Sequence, residues 1–352
     1  MEFQLKITYF FFLFFILFLL KKFEMNSIYY NNDLNRLYLS KEFNKIYSSL
    51  YFTAKNGRTI IPYYNKNYII KNYNYKNVNG LCLCTLGKKE NLYSREFVEY
   101  YEQLGFNKII IFDNNDIEGE NFEEVLKDYI QNKFVDIIDI RGISAVQLPT
   151  FNYCYQKFQK QFDWIAFFDF DEYLFINDSS KNINKYIYSK KFQNCQSILF
   201  NWYLYDDNDL ERYDKRKISE RFKRAKIESR KVKSMVRGGL DNLLIPTSHI
   251  LGININYFCD SNGIRVFPKN FYDITFPKNN KAFIKHFYTK TVQEFCNKIK
   301  KGDVQFHNKQ SNYHHIFIKK LKSFFRINKI TKNKIKILEE CLNLDYIFLK
   351  KY

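Results

Sequence analysis

Between Leu81 and Phe168 four short apolar runs alternate with stretches of helical periodicity, and this alternation restricts the chain to few folds. Leu81–Leu86 is fit for a buried strand. Ser94–Leu104 spaces Phe97, Tyr100, Tyr101 and Leu104 as one helix face, with Gly105 as its stop. Lys108–Phe112 is a second strand. Asn121 with Glu124 makes a capping-box pattern that opens a helix to about Gln131. Val135–Ile140 is a third strand, the region Asn152–Gln161 a further helix, and Trp164–Phe168 a fourth strand. Strands that alternate with helices in this way predict a parallel α/β sheet, whose strands, covered on both faces, are continuously apolar.

In such a sheet ligands bind beyond the carboxyl ends of the strands. The residues there are Gly87-Lys88-Lys89-Glu90, Asp113-Asn114, Arg141-Gly142 and Asp169-Phe170-Asp171, so charged groups from four strands converge on one edge. Asp169 and Asp171 are two apart at a strand end and can point to the same side. Neighbouring carboxylates repel unless a proton or cation lies between them. Oxygen ligands select a hard divalent ion, Mg²⁺ or Mn²⁺, of the kind shared with substrate phosphates. The bland alternative is an acidic, solvated turn, which is what a bare D-x-D most often is; the position after the fourth strand, beside Asp113, argues for a site.

Other nucleotide signatures are missing. No G-x-G-x-x-G follows the first strand, and no P-loop is present. Seven cysteines without regular spacing argue against a zinc site and a disulfide framework, and suggest free thiols buried as small hydrophobes. The formal charge of +19 calls for an anionic partner. Lysines and arginines are densest in Arg212–Arg237 and after Lys278, a run that reads mostly as solvated surface.

Several stretches together resemble the GT-A glycosyltransferases of family 92 and their family 2-like bacterial relatives. They are Gly87–Asn91, Glu96–Tyr101, Leu104–Phe106 and Ile111–Asn115; then Asp163–Leu174, the most specific of them; then Asn201-Trp202, Glu220–Phe222, Lys233–Arg237, and His286–Thr291 with Glu294, Phe295 and Lys298. The resemblance covers about residues 81–303. It implies a GT-A fold, a Rossmann-like, mostly parallel sheet flanked by helices. It also implies a nucleoside diphosphate sugar donor and metal-dependent transfer of the sugar to an acceptor hydroxyl. On that resemblance Asp113, with Asn114, Lys88 and Glu90, would contact the nucleotide; Asp169 and Asp171 would hold metal and diphosphate; and His286 would be a further metal ligand. Lys233 and Arg237 could neutralise the diphosphate, Lys290 could steady it as it leaves, and Trp202 is either a sugar platform or a core aromatic. Relatives often carry an aromatic-Gly pair after the tryptophan where this chain has Tyr205-Asp206-Asp207. An inverting transfer needs a base for the acceptor proton, and Asp207 is the expected one, with Asp209 and Asp241 as rivals.

Ile7–Leu20 is apolar and flanked by Lys6 and Lys21-Lys22. At 1.5 Å per residue it spans roughly 21 Å against a hydrocarbon core of ~30 Å. It reads as a short signal anchor that would place the protein at a membrane (Golgi-type in a eukaryote, inner-membrane-associated or cytoplasmic in a bacterium), or as upstream sequence before a true start at Met25. The expected organisation is an anchor over 1–24, a polar lead-in over 25–79, the transferase domain over 80–305 and a basic helical extension over 306–352. The acceptor stays open among glycan, glycolipid and glycoprotein. Two rivals are a single-strand nucleic-acid binder, suited by basic residues among Tyr and Phe, and a catalytically inactive GT-A-like binding module. The acidic edge would repel a polyanion, so nucleic acid is not the expected partner.

Overall fold

Four strands, β1 (Leu81–Gly87), β2 (Lys108–Asp113), β3 (Val135–Asp139) and β4 (Trp164–Phe167), pair side by side in parallel in the order β3-β2-β1-β4. The structure, a computed structural model, describes residues 80–343 except 143–146, 178–181, 242, 244, 246, 253–254, 256, 269–271 and 302–309, with backbone only for 310–315. The expected anchor and lead-in lie outside the described residues; among those described, no helix is long and apolar enough to cross a membrane.

The helices that join the first strands are α1 (Asn91–Leu104), the short α2 (Phe122–Val125) and α3 (Lys127–Gln131), and α4 (Gln147–Phe158). Asn121 caps α2 as its spacing predicts, its Oδ1 accepting the Glu124 N–H, but the helix expected to reach Gln131 is broken at Leu126. Helix α1 buries Phe97, Val98, Tyr101 and Leu104 and ends where Gly105 takes φ 106°, a left-handed conformation that glycine adopts without strain. Tyr101, fully buried, donates from its hydroxyl to Glu172 O at 2.8 Å and accepts the Leu174 N–H at 3.1 Å, fastening α1 to the strand that begins at Glu172.

After the Asp169–Asp171 turn the chain runs through β5 (Glu172–Ile176), α5 (Ile183–Ile187), β6 (Ser197–Tyr205), α6 (Ile218–Arg221), β7 (Ala225–Arg237), β8 (Phe258–Asp260), β9 (Arg265–Val266), β10 (Ala282–His286) and α7 (Val292–Lys300). The sheet continues as β4-β7-β6-β10-β5, with β8 on β6 and β9 on β8. Here β7 is antiparallel to β4 and β6, and β5 is antiparallel to β10, so the second half is mixed. Chain order reverses where β1 lies between β2 and β4, which opens a crevice at their carboxyl ends. Gly87 sits at that point because a Cβ there would approach Phe122 to 2.4 Å and Phe170 to 2.7 Å.

The basic extension forms α8 (Gln310–Ile327) and α9 (Lys332–Leu342). Leu321, Phe324 and Leu338 share one apolar cluster with Val292, Phe295 and Ile299 of α7. The cysteine expectation is corrected. Cys84–Cys154, Cys195–Cys259 and Cys296–Cys341 are disulfides with Cα separations of 6.6, 5.8 and 6.2 Å, and Cys82 is the buried free thiol. The partners are 45 to 70 residues apart and meet through strand–helix, loop–strand and helix–helix packing, so regular spacing was no guide to them.

Candidate active site

The strand register aligns the expected ligand-binding ends. Gly87 pairs with Asp113 and Asp113 with Asp139. Asp113 Oδ1 accepts the Asn115 N–H at 2.9 Å, while its Oδ2 is buried without a hydrogen-bond partner among the described residues. Burial raises the pKa of that carboxyl, which makes it a receptive acceptor for a ligand hydroxyl or N–H. Asn114 donates to Ile140 O at 3.1 Å, and Lys88 pairs with Asp116 at 2.9 Å, so the loops after β1 and β2 are joined. Glu90 pairs with Lys301 and, at 3.8 Å, with Lys290. Lys290 is buried and lies 3.6 Å from the Tyr93 ring centroid, and burial lowers its pKa.

At the D-x-D the two carboxylates are held apart by separate partners. Asp169 Oδ2 meets Lys233 Nζ at 2.7 Å and its Oδ1 accepts from Gln147 Nε2 at 3.3 Å. Lys233, 1% exposed, also lies 3.2 Å from Glu172 Oε2, which accepts the Asp169 N–H. Burial disfavours the Lys233 ammonium, but Asp169 and Glu172 outweigh it and raise its pKa. Asp171 Oδ2 takes Lys298 Nζ at 2.6 Å and its Oδ1 lies 3.5 Å from His286 Nε2. Burial opposes ionisation of Asp171, yet Lys298 and His286 hold its pKa well below the carboxylate range. Burial lowers the pKa of His286, and its Nδ1 is buried without a partner among the described residues.

The chemistry of this donor set suits a hard cation in part. Asp171 and His286 offer an oxygen and a nitrogen within reach of each other, and the orphaned imidazole nitrogen is an unused donor atom. Among the described residues no three His, Cys, Asp or Glu side chains form a ready ligand group, and Asp169 is engaged by Lys233. The residues present thus fit a divalent ion only in part.

Trp202 is 9% exposed, with its ring 4.3 Å from that of His286 and 5.0 Å from that of His249. It is a buried aromatic and also a neighbour of the site. Two expected residues lie elsewhere. Arg237 pairs across from Trp164, at the start of β4, because β7 runs antiparallel to it. Its guanidinium donates to Cys195 O and Phe192 O at the amino edge of the sheet, away from the aspartates. Asp207 is fully buried and meets Lys334 Nζ of α9 at 2.7 Å, while Asn328 Oδ1 accepts its N–H. It fastens the C-terminal helices, and its carboxylate, 0% exposed, has no open approach for an acceptor. The basic run is likewise less solvated than expected: Arg221 and Lys233 are buried, each on a carboxylate.

Sequence reasoning assigned no role to Gln147 or Lys298 at the D-x-D. Lys298 had a signal: it lies two turns into a capped helix that follows His286 directly.

Paired aspartates, a histidine and lysines thus gather at the carboxyl edge of an α/β sheet. The profile of glycosyltransferase family 92 matches residues 79–321, well over half of the sequence, and the chain belongs to glycosyltransferase family 92. A family 92 protein of Oryza sativa subsp. japonica is 26% identical over 114 residues, covering 32% of this chain and 18% of the relative. One of Ricinus communis is 29% identical over 120 residues, covering 33% and 20%. The chain thus spans about a fifth of the length of these relatives. Among solved structures, Staphylococcus aureus TarS 1–349 in complex with UDP-GlcNAc aligns with TM-score 0.34 and 11% identity over 75% of this chain and 81% of that one. The mannosyltransferase PcManGT of Pyrobaculum calidifontis, in complex with GDP-Man and Mn²⁺, aligns with TM-score 0.27 and 8% identity over 46% and 45%. These last two likenesses are too distant to bear on individual residues.

Proposed function

We propose that this chain transfers a sugar from a nucleoside diphosphate sugar to an acceptor hydroxyl on a glycan, lipid or protein, with a divalent cation, Mn²⁺ or Mg²⁺, at the D-x-D. The observation that carries the reading is the Asp171–His286–Lys298 constellation at the carboxyl edge, in a family 92 chain. Asp171 and His286 would hold the cation, and Asp169 would join when its lysine turns to the diphosphate. When bound, such an ion supplies charge neutralisation for a departing diphosphate. Lys298 and Lys233 would serve the same end, each already poised on a carboxylate, and Asp113 with its unpaired Oδ2 would receive the nucleoside.

Transfer with inversion needs a base. Asp209, on the same loop as Asp207 but 47% exposed and paired with Arg224, is the carboxylate there that an acceptor could reach. A membrane-anchored enzyme facing a secretory lumen is the localisation we favour; three disulfides support it, because such bonds persist in oxidising compartments.

The test is a screen of UDP-, GDP- and CMP-sugars for Mn²⁺-dependent thermal stabilisation and hydrolysis. One donor should stabilise the protein only with metal, and Asp171→Asn should lose both effects. Full activity in that variant, or in excess chelator, overturns the metal-dependent reading.

A further inference from the structure

From Ser197↔Val236 to Asn201↔Val232 strands β6 and β7 pair without a break, but Trp202 pairs with Ser229, leaving Arg230 and Lys231 outside the ladder. Asn201 Nδ2 closes this bulge by donating to Ser229 O and Arg230 O, each at 3.2 Å. The segment Tyr272–Ile274 is stitched to it, with Tyr272 O accepting the Val232 N–H at 3.1 Å and Arg230 O accepting the Ile274 N–H at 3.0 Å. Bulges re-aim side chains and are frequent beside active sites. Here the bulge brings Lys231 Nζ to 5.6 Å from the Trp202 ring centroid.

The result is a continuous run of rings. Tyr272, 47% exposed, lies 5.3 Å from His249; His249 lies 5.0 Å from Trp202; Trp202 lies 4.3 Å from His286, whose Nε2 is 3.5 Å from Asp171. The run therefore joins the solvent to the carboxylate at which the donor's diphosphate would lie. Trp202 Nε1 is buried and has no hydrogen-bond acceptor among the described residues. Buried indole N–H groups ordinarily find one. His249 Nδ1 is 3.0 Å from Val232 O, so that nitrogen carries the hydrogen and Nε2 is left as an acceptor. Burial lowers the His249 pKa to about 3 and keeps the ring neutral.

An unused donor, a ring acceptor, an ammonium and aromatic surface are what a pyranose requires for its hydroxyls and its C–H face. We propose that Trp202, His249, Lys231 and Tyr272 form the subsite that receives the acceptor, and that the acceptor presents a hexopyranose there. The inference rests on the transferase reading above. An acceptor hydroxyl delivered along this run arrives beside Asp171, where it must be held close to the donor sugar for transfer.

The chain has two tryptophans, and the other, Trp164, is 1% exposed beneath Arg237 at the far edge of the sheet. Tryptophan emission therefore reports on the subsite. The full chain is titrated with the methyl glycosides of glucose, galactose, mannose and N-acetylglucosamine, and separately with UDP and GDP in the presence of Mn²⁺. At least one glycoside should give a saturable change. Tyr272→Ala and His249→Ala should each raise its dissociation constant about ten-fold, the scale of one lost polar or aromatic contact. Tyr188→Ala, an exposed tyrosine bonded to Asp163 at the amino edge, should leave it unchanged. Because Tyr272 is half exposed, its variant remains folded and decides the matter even if His249→Ala does not fold. The subsite is overturned if no glycoside gives a saturable change, or if Tyr272→Ala binds as tightly as the parent. Nucleotide binding without glycoside binding refutes the subsite alone, whereas glycoside binding without nucleotide binding refutes the transferase reading and leaves a sugar site.

Discussion

His286 is 5% exposed, packs against Trp202 and Tyr288, and keeps Nδ1 without a partner. Those contacts make it a core residue and a candidate ligand at once, so truncation to alanine confounds the two roles. His286→Phe separates them, since it keeps a ring and removes both nitrogens. With a ligand role the metal concentration for half-maximal activity rises roughly ten-fold or more, on the scale by which even outer-shell partners tune metal affinity, while the melting temperature changes little. With a core role alone both stay near the parent values. His249 offers a second test at the same scale. Its folded pKa of about 3 lies below the ordinary 6.5, so between those values the unfolded chain holds a proton that the folded chain lacks. Stability contributed by the neutral ring is therefore present above pH 6.5 and is lost as pH falls toward 3. Urea titrations at pH 7 and pH 5 should show a smaller loss of stability in His249→Gln than in the parent, and an equal loss would mean that His249 titrates normally.

At the scale of elements, helix α7 is fixed by one buried side chain. Glu294 accepts the Thr291 N–H while the Thr291 hydroxyl accepts the Glu294 N–H, completing a capping box. The same carboxylate accepts the Tyr93 hydroxyl of α1 at 2.7 Å and both guanidinium nitrogens of Arg221 in α6. Arg221 and Glu294 are 1% and 2% exposed, so removing the arginine alone strands a buried charge. Arg221→Met should cost about 3–5 kcal/mol, read as a lower urea midpoint, and pairing it with Glu294→Gln should recover much of that loss. If the single variant melts with the parent, α7 is held in another way. The contrast between cap and ion pair explains what the sequence disclosed. Periodicity located β1 to β4 and α1 within a few residues, because each is written in local spacing. It placed Asp113, Asp169 and Asp171 at one edge because strand ends in a parallel sheet share a side. It could not separate Arg237 from Lys233, four residues apart on one strand, because the antiparallel turn of β7 against β4 sends one to each edge. Nor could it show that Asp207 would be claimed by Lys334, a contact across 127 positions of chain.

Across the whole molecule, the C-terminal helices are tied to the rest of the fold in three independent ways: the α7 apolar cluster, the buried Lys334–Asp207 pair and the Cys296–Cys341 bond. Asn328 adds a junction, its Oδ1 receiving both the Asp207 N–H and the Thr289 hydroxyl, so α8 reaches the loops after β6 and β10 together. Thr289 adjoins Lys290, and helix α7 carries Lys298, so loosening this contact reaches the lysines beside Asp171. Each disulfide closes a loop of 45 to 70 residues, which in the chain-entropy account is worth about 4 kcal/mol. Thiol titration in denaturant should find one free cysteine before reduction and seven after it. Seven before reduction would restore the free-thiol expectation. Cys341→Ser should then act locally: limited proteolysis would cut within α9 at a concentration of protease that spares the parent, while β1 to β4 keep their amide protection. Lys334→Met should act more widely, because it leaves the Asp207 carboxylate buried without its counter-charge, and the loop after β6 would open with it. If Lys334→Met frees α9 no more than Cys341→Ser does and leaves that loop protected, the ion pair is incidental and the covalent bond with the apolar cluster suffices to seat the extension.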